Sequence, residues 1–287
     1  MAADGREEVR RPAVAGSFYP LSADDLYRRI DAWCVQSGDR VRAKGVVAPH
    51  AGVAYSGPVA GAVYGRIEPP DTAVLIGPDH YLEGGGVSVM ARGRWEIPGG
   101  EAWVDEALAG RVLKALESPA RAGGGLEVVV GGRAHEREHA LEVQLPFLVR
   151  IRGRGDEPLR IVPILMRADR PESCRALGRA LAEALADRPG TWVLVASTDF
   201  NHEEPHDVAL RKDAAAIDAI LRLEPEAFLE VVARRDVRMC GHGPVAAVMT
   251  ACRALGAERA ELVRHMTSGE VNGDFGRVVG YAGILIH

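Results

Sequence analysis

Apolar and β-branched residues along this chain come in short runs that alternate with longer stretches rich in Ala, Leu, Arg and Glu. The short runs predict strands at Lys44–Ala48, Ala73–Ile76, Gly86–Met90, Glu127–Val130, Arg160–Leu165, Trp192–Ala196, Glu261–His265 and Val278–Ile286. The longer stretches predict helices at Ala23–Cys34, Pro58–Ile67, Glu101–Leu116, Glu138–Ile151, Pro171–Ala186, Asp207–Leu221, Pro225–Ala233 and Pro244–Leu255. Strands alternating with helices imply an α/β protein with a largely parallel sheet covered on both faces. The Gly-rich pieces Gly84–Gly86, Gly123–Gly125, Gly131–Gly132 and Arg152–Gly155 are too short for domain linkers and read as loops. With no internal repeat or low-complexity tract, one domain over residues 1–287 is expected.

Composition narrows the function classes. The chain is 47% hydrophobic, ample material for a packed core, which excludes disorder as the dominant state. Its 35 Lys and Arg against 40 Asp and Glu give a net charge of −5, a poor match to a nucleic-acid partner. Only Lys44, Lys114 and Lys212 are lysines, so few residues are available for Schiff-base chemistry. No run approaches the roughly 18 apolar residues of a spanning helix, and Met1–Arg11 is polar and charged, without a leader-type apolar stretch. A cytoplasmic protein with no membrane role is expected. The four cysteines, Cys34, Cys174, Cys240 and Cys252, form no CxxC pair, so they are free thiols or metal ligands rather than a disulfide scaffold.

No strand is followed by GxGxxG or GxxxxGK[ST], and no GxSxG elbow occurs, which disfavours dinucleotide, P-loop and serine-hydrolase readings. What remains is positional. Pro49-His50, Asp79-His80 and Thr198-Asp199-Phe200-Asn201-His202 each follow a predicted strand, and Cys240-Gly241-His242 precedes a predicted helix. Ligands of open α/β sheets gather at such strand ends. Singly, each residue has a plainer explanation: Ser197 and Asp199 as turn formers, His50 as a loop residue, Cys240 as a small buried apolar group. Together they are hard to explain as caps. Imidazoles and a thiolate suit iron, copper and zinc. A further His out of reach of the ion would serve as acid or base, and Asp199 would orient a ring nitrogen of a ligand or of that base.

Two further patterns compete. His135-Glu136-Arg137-Glu138-His139 matches the HExxH and HxxEH signatures of zinc peptidases. Its intervening residues are charged, however, and Gly131-Gly132 just upstream puts His135 outside a helix, so the match reads as coincidental. On the helix expected downstream, His139 and Glu142 would share a face, either as a solvent-facing ion pair or lining a cleft, and Pro146 would kink or break it.

The blocks Gly16-Ser17-Phe18-Tyr19-Pro20, Ala48-Pro49-His50-Ala51-Gly52, Gly77-Pro78-Asp79-His80, Glu138-His139-Ala140-Leu141-Glu142-Val143-Gln144-Leu145-Pro146, Ser197-Thr198-Asp199-Phe200-Asn201-His202 and Cys240-Gly241-His242-Gly243-Pro244 resemble, in that order, those of the Memo family. Prokaryotic members are labelled AmmeMemoRadiSam system protein B. The resemblance runs from about residue 10 to the C-terminus. It implies a three-layer α/β/α sandwich with a largely parallel or mixed central sheet, shared with the class III, LigB-type extradiol dioxygenases. In those enzymes two His and a Glu hold a non-haem Fe(II), and another His is the acid/base. By matching blocks, His50 and His80 would be the His ligands and Cys240 would stand in the place of the Glu. His202 would be the acid/base with Asp199 beside it, and His139 would line the same cleft. A thiolate for a carboxylate softens the site toward Fe(II), Cu or Zn, so extradiol cleavage does not follow from the fold. Family members are described as iron- or copper-binding redox proteins, and animal ones as recognising phosphotyrosine peptides. The resemblance therefore implies a small-molecule substrate or a peptide in the metal cleft. His242, two residues from Cys240, offers an alternative or extra ligand.

Overall fold

The chain's structure is a computed structural model that describes residues 8–35, 39–117, 126–153 and 157–287. The expected Gly123–Gly125 loop, residues 1–7 of the polar N-terminal stretch and part of Arg152–Gly155 lie outside the described residues. The elements are β1 (Val9–Arg10), α1 (Ala23–Trp33), β2 (Gly45–Ala48), α2 (Val53–Tyr64), β3 (Thr72–Pro78), β4 (Val87–Val89), β5 (Arg94–Ile97), β6 (Gly100–Val104), α3 (Glu106–Leu116) and β7 (Val128–Val130). They continue as α4 (Leu145–Arg152), β8 (Leu159–Met166), α5 (Pro171–Leu185), β9 (Trp192–Ser197), β10 (His202–Glu204), α6 (His206–Leu221) and α7 (Pro225–Arg234). The last are α8 (His242–Ala254), β11 (Ala260–Thr267), α9 (Gly269–Asn272) and β12 (Val278–Ile286). No helix among them is long and apolar enough to cross a membrane.

Most predicted elements appear within a few residues of their expected bounds, with local chemistry that explains where they start. Ser22 and Asp105 cap α1 and α3 by accepting the Asp25 and Leu108 N–H groups. Pro171 and Pro225 open α5 and α7, where a missing N–H costs nothing. Two predicted helices need correction. The expected Glu101–Leu116 helix begins only at Glu106, because Gly100–Val104 pairs antiparallel with Arg94–Ile97 as a hairpin. Its turn is Pro98-Gly99, with Gly99 at φ +82°, and Arg94–Ile97 alternates polar-out, apolar-in. The expected Glu138–Ile151 helix forms only from Leu145, with single 3₁₀ turns at Arg133–His135 and Glu142–Gln144. Before that turn the Glu138 carboxylate accepts the N–H groups of Ala140 and His80, so this stretch bonds locally instead of winding. Pro146 therefore lies in the first turn of α4, which it starts rather than kinks.

The sheet order is β1–β5–β6–β8–β3–β9–β2–β12–β10, with β11 added on β12 and β4 pairing with both β8 and β7. The central strands β6, β8, β3, β9 and β2 are all parallel, while β12 closes antiparallel on β2. Helices cover both faces. Gly45 lies directly opposite Ile286 in the β2–β12 pair and faces Cys252 and Val248 of α8. Gly283, three residues back along β12, faces Val59 and Val63 of α2. An odd spacing along a strand means opposite faces, so α8 and α2 sandwich the sheet. Between them β2, β3 and β9 are buried along almost their whole length. Because these three neighbours run parallel, their carboxyl ends emerge side by side at one edge of the sandwich.

Candidate metal centre

The loops leaving those three strand ends carry His50 after β2, His80 after β3 and Asp199 after β9. Cys240 reaches the same place from the loop preceding α8. Its approach depends on Gly241, where a Cβ would sit 2.6 Å from the Ser197 carbonyl oxygen, and whose N–H donates to Thr198 Oγ1 at 2.9 Å. The result is one cluster: donor atoms of His50, His80 and Cys240 all lie within 4.8 Å of one another. His50 Nε2 stands 3.3 Å from Cys240 Sγ. His139 stacks on His80 with ring centroids 4.7 Å apart, and Phe18 meets the His139 ring at a tilt, also at 4.7 Å. Donor atoms of His80, Glu138 and His139 form a second such group.

Hydrogen bonds fix which ring nitrogens are free. The Ser197 hydroxyl donates its single proton to the Ala140 carbonyl at 2.6 Å. Its oxygen can then only accept, from Gln144 Nε2 at 2.8 Å and from His50 Nδ1 at 2.9 Å. His50 therefore carries its proton on Nδ1 and presents a bare Nε2 toward Cys240. Gln144 is itself oriented, accepting from the Tyr64 hydroxyl at 2.7 Å and donating to the Pro49 carbonyl at 2.9 Å. His80 Nδ1 meets Glu138 Oε1 at 2.9 Å, which likewise leaves Nε2 as its free donor. A carboxylate or hydroxyl behind an imidazole is the usual partner of a metal-binding His. Glu138 is fully buried and also 3.3 Å from His139 Nδ1. Arg10 braces this segment, donating to the carbonyls of His135 at 3.0 Å and Glu138 at 2.8 Å and pairing with the buried Glu142 carboxylate.

Electrostatics divide the proposed ligands: His50 is held in the neutral form that coordination needs, while His80 and Cys240 are biased toward their protonated forms. Burial, with the neighbouring His80 and His139, holds His50 well below the usual imidazole range, so it is neutral. Burial would raise Glu138, but its hydrogen bond and ion pair with His80 and the N–H groups of Ala140 and His80 bring it down to about 2. It is thus a permanent anion behind two imidazoles. At His80, burial pulls downward, yet the Glu138 hydrogen bond and charge win and raise it. Burial and the charge of Asp199 push the Cys240 thiol up to about 12, a strong disincentive to ionise without a nearby cation. A coordinated cation reverses that preference, and the Asp199 N–H, 3.4 Å from the sulfur, is placed to stabilise the thiolate.

The remaining sequence candidates fall as follows. The Asp199 carboxylate accepts the backbone N–H groups of His50 at 2.9 Å and Ala51 at 3.2 Å. It therefore braces the His50 loop, and no hydrogen bond to His202 accompanies it among the described residues. The His202 ring is held instead by the Arg238 carbonyl, which accepts from Nδ1 at 2.8 Å. His139 lines the cluster, but not through a helical face shared with Glu142, because no α-helix forms there. His242 turns away, donating from Nδ1 to the Met239 carbonyl at 2.8 Å with Nε2 3.5 Å from Asp169. His135 is buried 6.0 Å from Trp95 and belongs to neither donor group. Cys34, Cys174 and Cys252 are free thiols away from the centre. Sequence reasoning missed Glu138, Ser197 and Gln144 as orienting groups. The signal was their presence inside the motif blocks that carry the ligands.

A helix-covered mixed sheet with His, His and Cys donors gathered at its parallel strand ends defines an α/β protein with a candidate mononuclear metal site. The chain belongs to the Memo family, whose profile, described as Memo-like protein, matches residues 10–285. A MEMO1 family protein of Ignicoccus hospitalis is 40% identical, with 96% of this chain and 98% of that protein covered. Another, from Methanopyrus kandleri, is 39% identical over 96% of this chain and 98% of its own length. In fold, the chain is similar to an uncharacterised protein of Escherichia coli K12, with a TM-score of 0.58 at 17% identity, covering 85% of this chain and 99% of that one.

Proposed function

We propose that this protein is a metal-dependent redox protein in which His50, His80 and Cys240 hold one ion. Iron(II) or copper is the first choice and zinc the third, and the ion acts on a small molecule. The observation that carries this reading is the free His50 Nε2 facing the Cys240 thiol at 3.3 Å, with a His80 donor in the same group and both rings oriented by Ser197 and Glu138. Two imidazoles and a thiolate suit these ions and leave coordination positions for a substrate. When bound, such an ion would supply electron transfer and Lewis acidity. Around it, Glu138 and Ser197 keep the ligand imidazoles oriented, and Asp199 fixes the His50 loop. His202, its Nδ1 proton committed to Arg238, has Nε2 as the atom that takes or returns a substrate proton. His139, beside Phe18 and stacked on His80, would contact the substrate. A reducing, cytoplasmic setting would keep the Cys240 thiol available.

Metal analysis after anaerobic loading tests the reading. Cys240→Ala and His50→Ala should lose most of the bound metal, and Glu138→Gln should weaken affinity by about 10–100-fold. Unchanged metal content in the first two variants sinks the assignment, and loss through His135→Ala alone would point to the HExxH segment. Oxygen uptake by the Fe(II)-loaded protein with catechols and other reductants then separates an enzyme from a peptide-binding module. Absence of turnover with every redox metal favours the module.

A further inference from the structure

Two neighbouring cavities open beside the centre on the side where Cys240 and His242 enter. The inner one, about 150 Å³, is lined by Cys240, His242, Asp169, the exposed Arg167 and the Pro78-Asp79 segment that leads into His80. The outer one, about 570 Å³, meets it at Asp169 and His242 and extends under α7. Leu229, Val232 and Val237 give the outer cavity an apolar wall, and Asp169, Glu226, Glu230 and Asp236 give it four carboxylates. No Lys or Arg is among its lining residues, whereas Arg167 lines the inner cavity, so a cationic end belongs in the outer one.

We propose that the two cavities form the substrate channel of the centre, and that it takes a small organic amine: an apolar body carrying a protonated amino group. This rests on the metal-centre reading above and deepens it by naming a substrate class. The inner cavity fixes the location, since it is lined by Cys240, one proposed ligand, and by Asp79, the residue before another. Its outer continuation is of the size that holds a small ligand. The apolar wall favours a hydrocarbon, and the charge of the surrounding side chains sets the sign of the polar end. Three of the carboxylates also meet a cation: Glu226 with Arg175 at 3.3 Å, Glu230 with Arg234 at 2.5 Å and Asp236 with Lys212 at 3.5 Å. These carboxylates are all more than half exposed, so their ion pairs are weak and an ammonium group competes with them at little cost. Asp169 is different, because its partner is His242, 3.5 Å away at the junction of the cavities. The Met239 carbonyl holds His242 from the other nitrogen, so this ring is a fixed wall of the passage toward Cys240.

The test uses the whole protein with methyl-labelled Leu and Val, first without metal, titrated with n-hexylammonium and with hexanoate. Hexylammonium should shift the Leu229, Val232 and Val237 methyl signals saturably, with a dissociation constant at least tenfold below that of hexanoate. High salt should weaken the amine severalfold. Ala233→Trp, at an exposed lining position, should abolish the shifts with thermal unfolding unchanged. Glu230→Gln should weaken the amine without touching the wall. In the Cu(II)-loaded protein, bound hexylammonium protons should relax faster than with the metal-free protein. Equal affinity for hexanoate, or no methyl shifts, overturns the channel. Amine binding without paramagnetic relaxation overturns its link to the centre. Failure to take up metal counts against the centre and the role assigned to the channel, and is read separately from the metal-free titration.

Discussion

His135 and Glu138 are both buried and both titratable, yet they meet burial in opposite ways. Glu138 is surrounded by donors and stays charged. Burial, with the Arg10 charge adding, lowers His135 from 6.5 to about 3, and the Ser88 backbone beside the ring does not offset it. The sign of its effect on stability follows from linkage. Above the unfolded value near 6.5 both states leave the ring neutral and its contribution is intact. As pH falls toward 3, the unfolded chain binds a proton that the folded chain refuses, and stability drops by about 1.4 kcal/mol per pH unit from this group. His135→Phe should therefore flatten the acid limb, gaining about 3 kcal/mol on the wild type between pH 7 and pH 4 in denaturant titrations. Parallel stability curves for the two proteins would contradict the buried, neutral state of this ring. The proposed ligands His50 and His80 were legible because they follow strand-ending Gly and Pro residues. Glu138 was not, since a Glu between His and Arg reads as solvent-facing until the fold brings the His80 N–H and ring against it.

At the scale of elements, the centre depends on how closely loops approach one another. The loop before α8 lies on Thr198, with Gly241 permitting the contact. Gly241→Ala should push Cys240 away from His50, lowering metal content while leaving far-ultraviolet circular dichroism close to wild type. Full metal occupancy in this variant would show that the approach is not required. The two misread helices have a physical cause in common. In Glu101–Val104 an alternating strand pattern was hidden in a Glu- and Ala-rich run, and pairing with Arg94–Ile97 decided it. In Glu138–Leu141 the helical spacing was real, but hydrogen bonds from the Glu138 side chain outcompeted it. Tertiary partners overrode local propensity in both. The strands β2, β3, β8 and β9 were legible because complete burial leaves near-continuous apolar runs.

Across the whole molecule, the order β8–β3–β9–β2 brings residues 50, 80 and 199 together although they are far apart in sequence. That order was not legible, since it is set by pairings between distant strands rather than by any local pattern. The motif blocks identified the participants, and the sheet explains why they meet. The Arg10–Glu142–Tyr19 network then ties the N-terminal segment under the same site, with Tyr19 and Arg10 both bonded to one buried carboxylate. In the proposed centre a single ion sits between His50, His80 and Cys240. X-ray absorption at the metal edge of the loaded protein tests it most directly. The expected spectrum has one sulfur scatterer at about 2.3 Å and imidazole nitrogens near 2.0–2.1 Å, with the sulfur lost in Cys240→Ser. A spectrum of nitrogen and oxygen alone in the wild-type protein would contradict it.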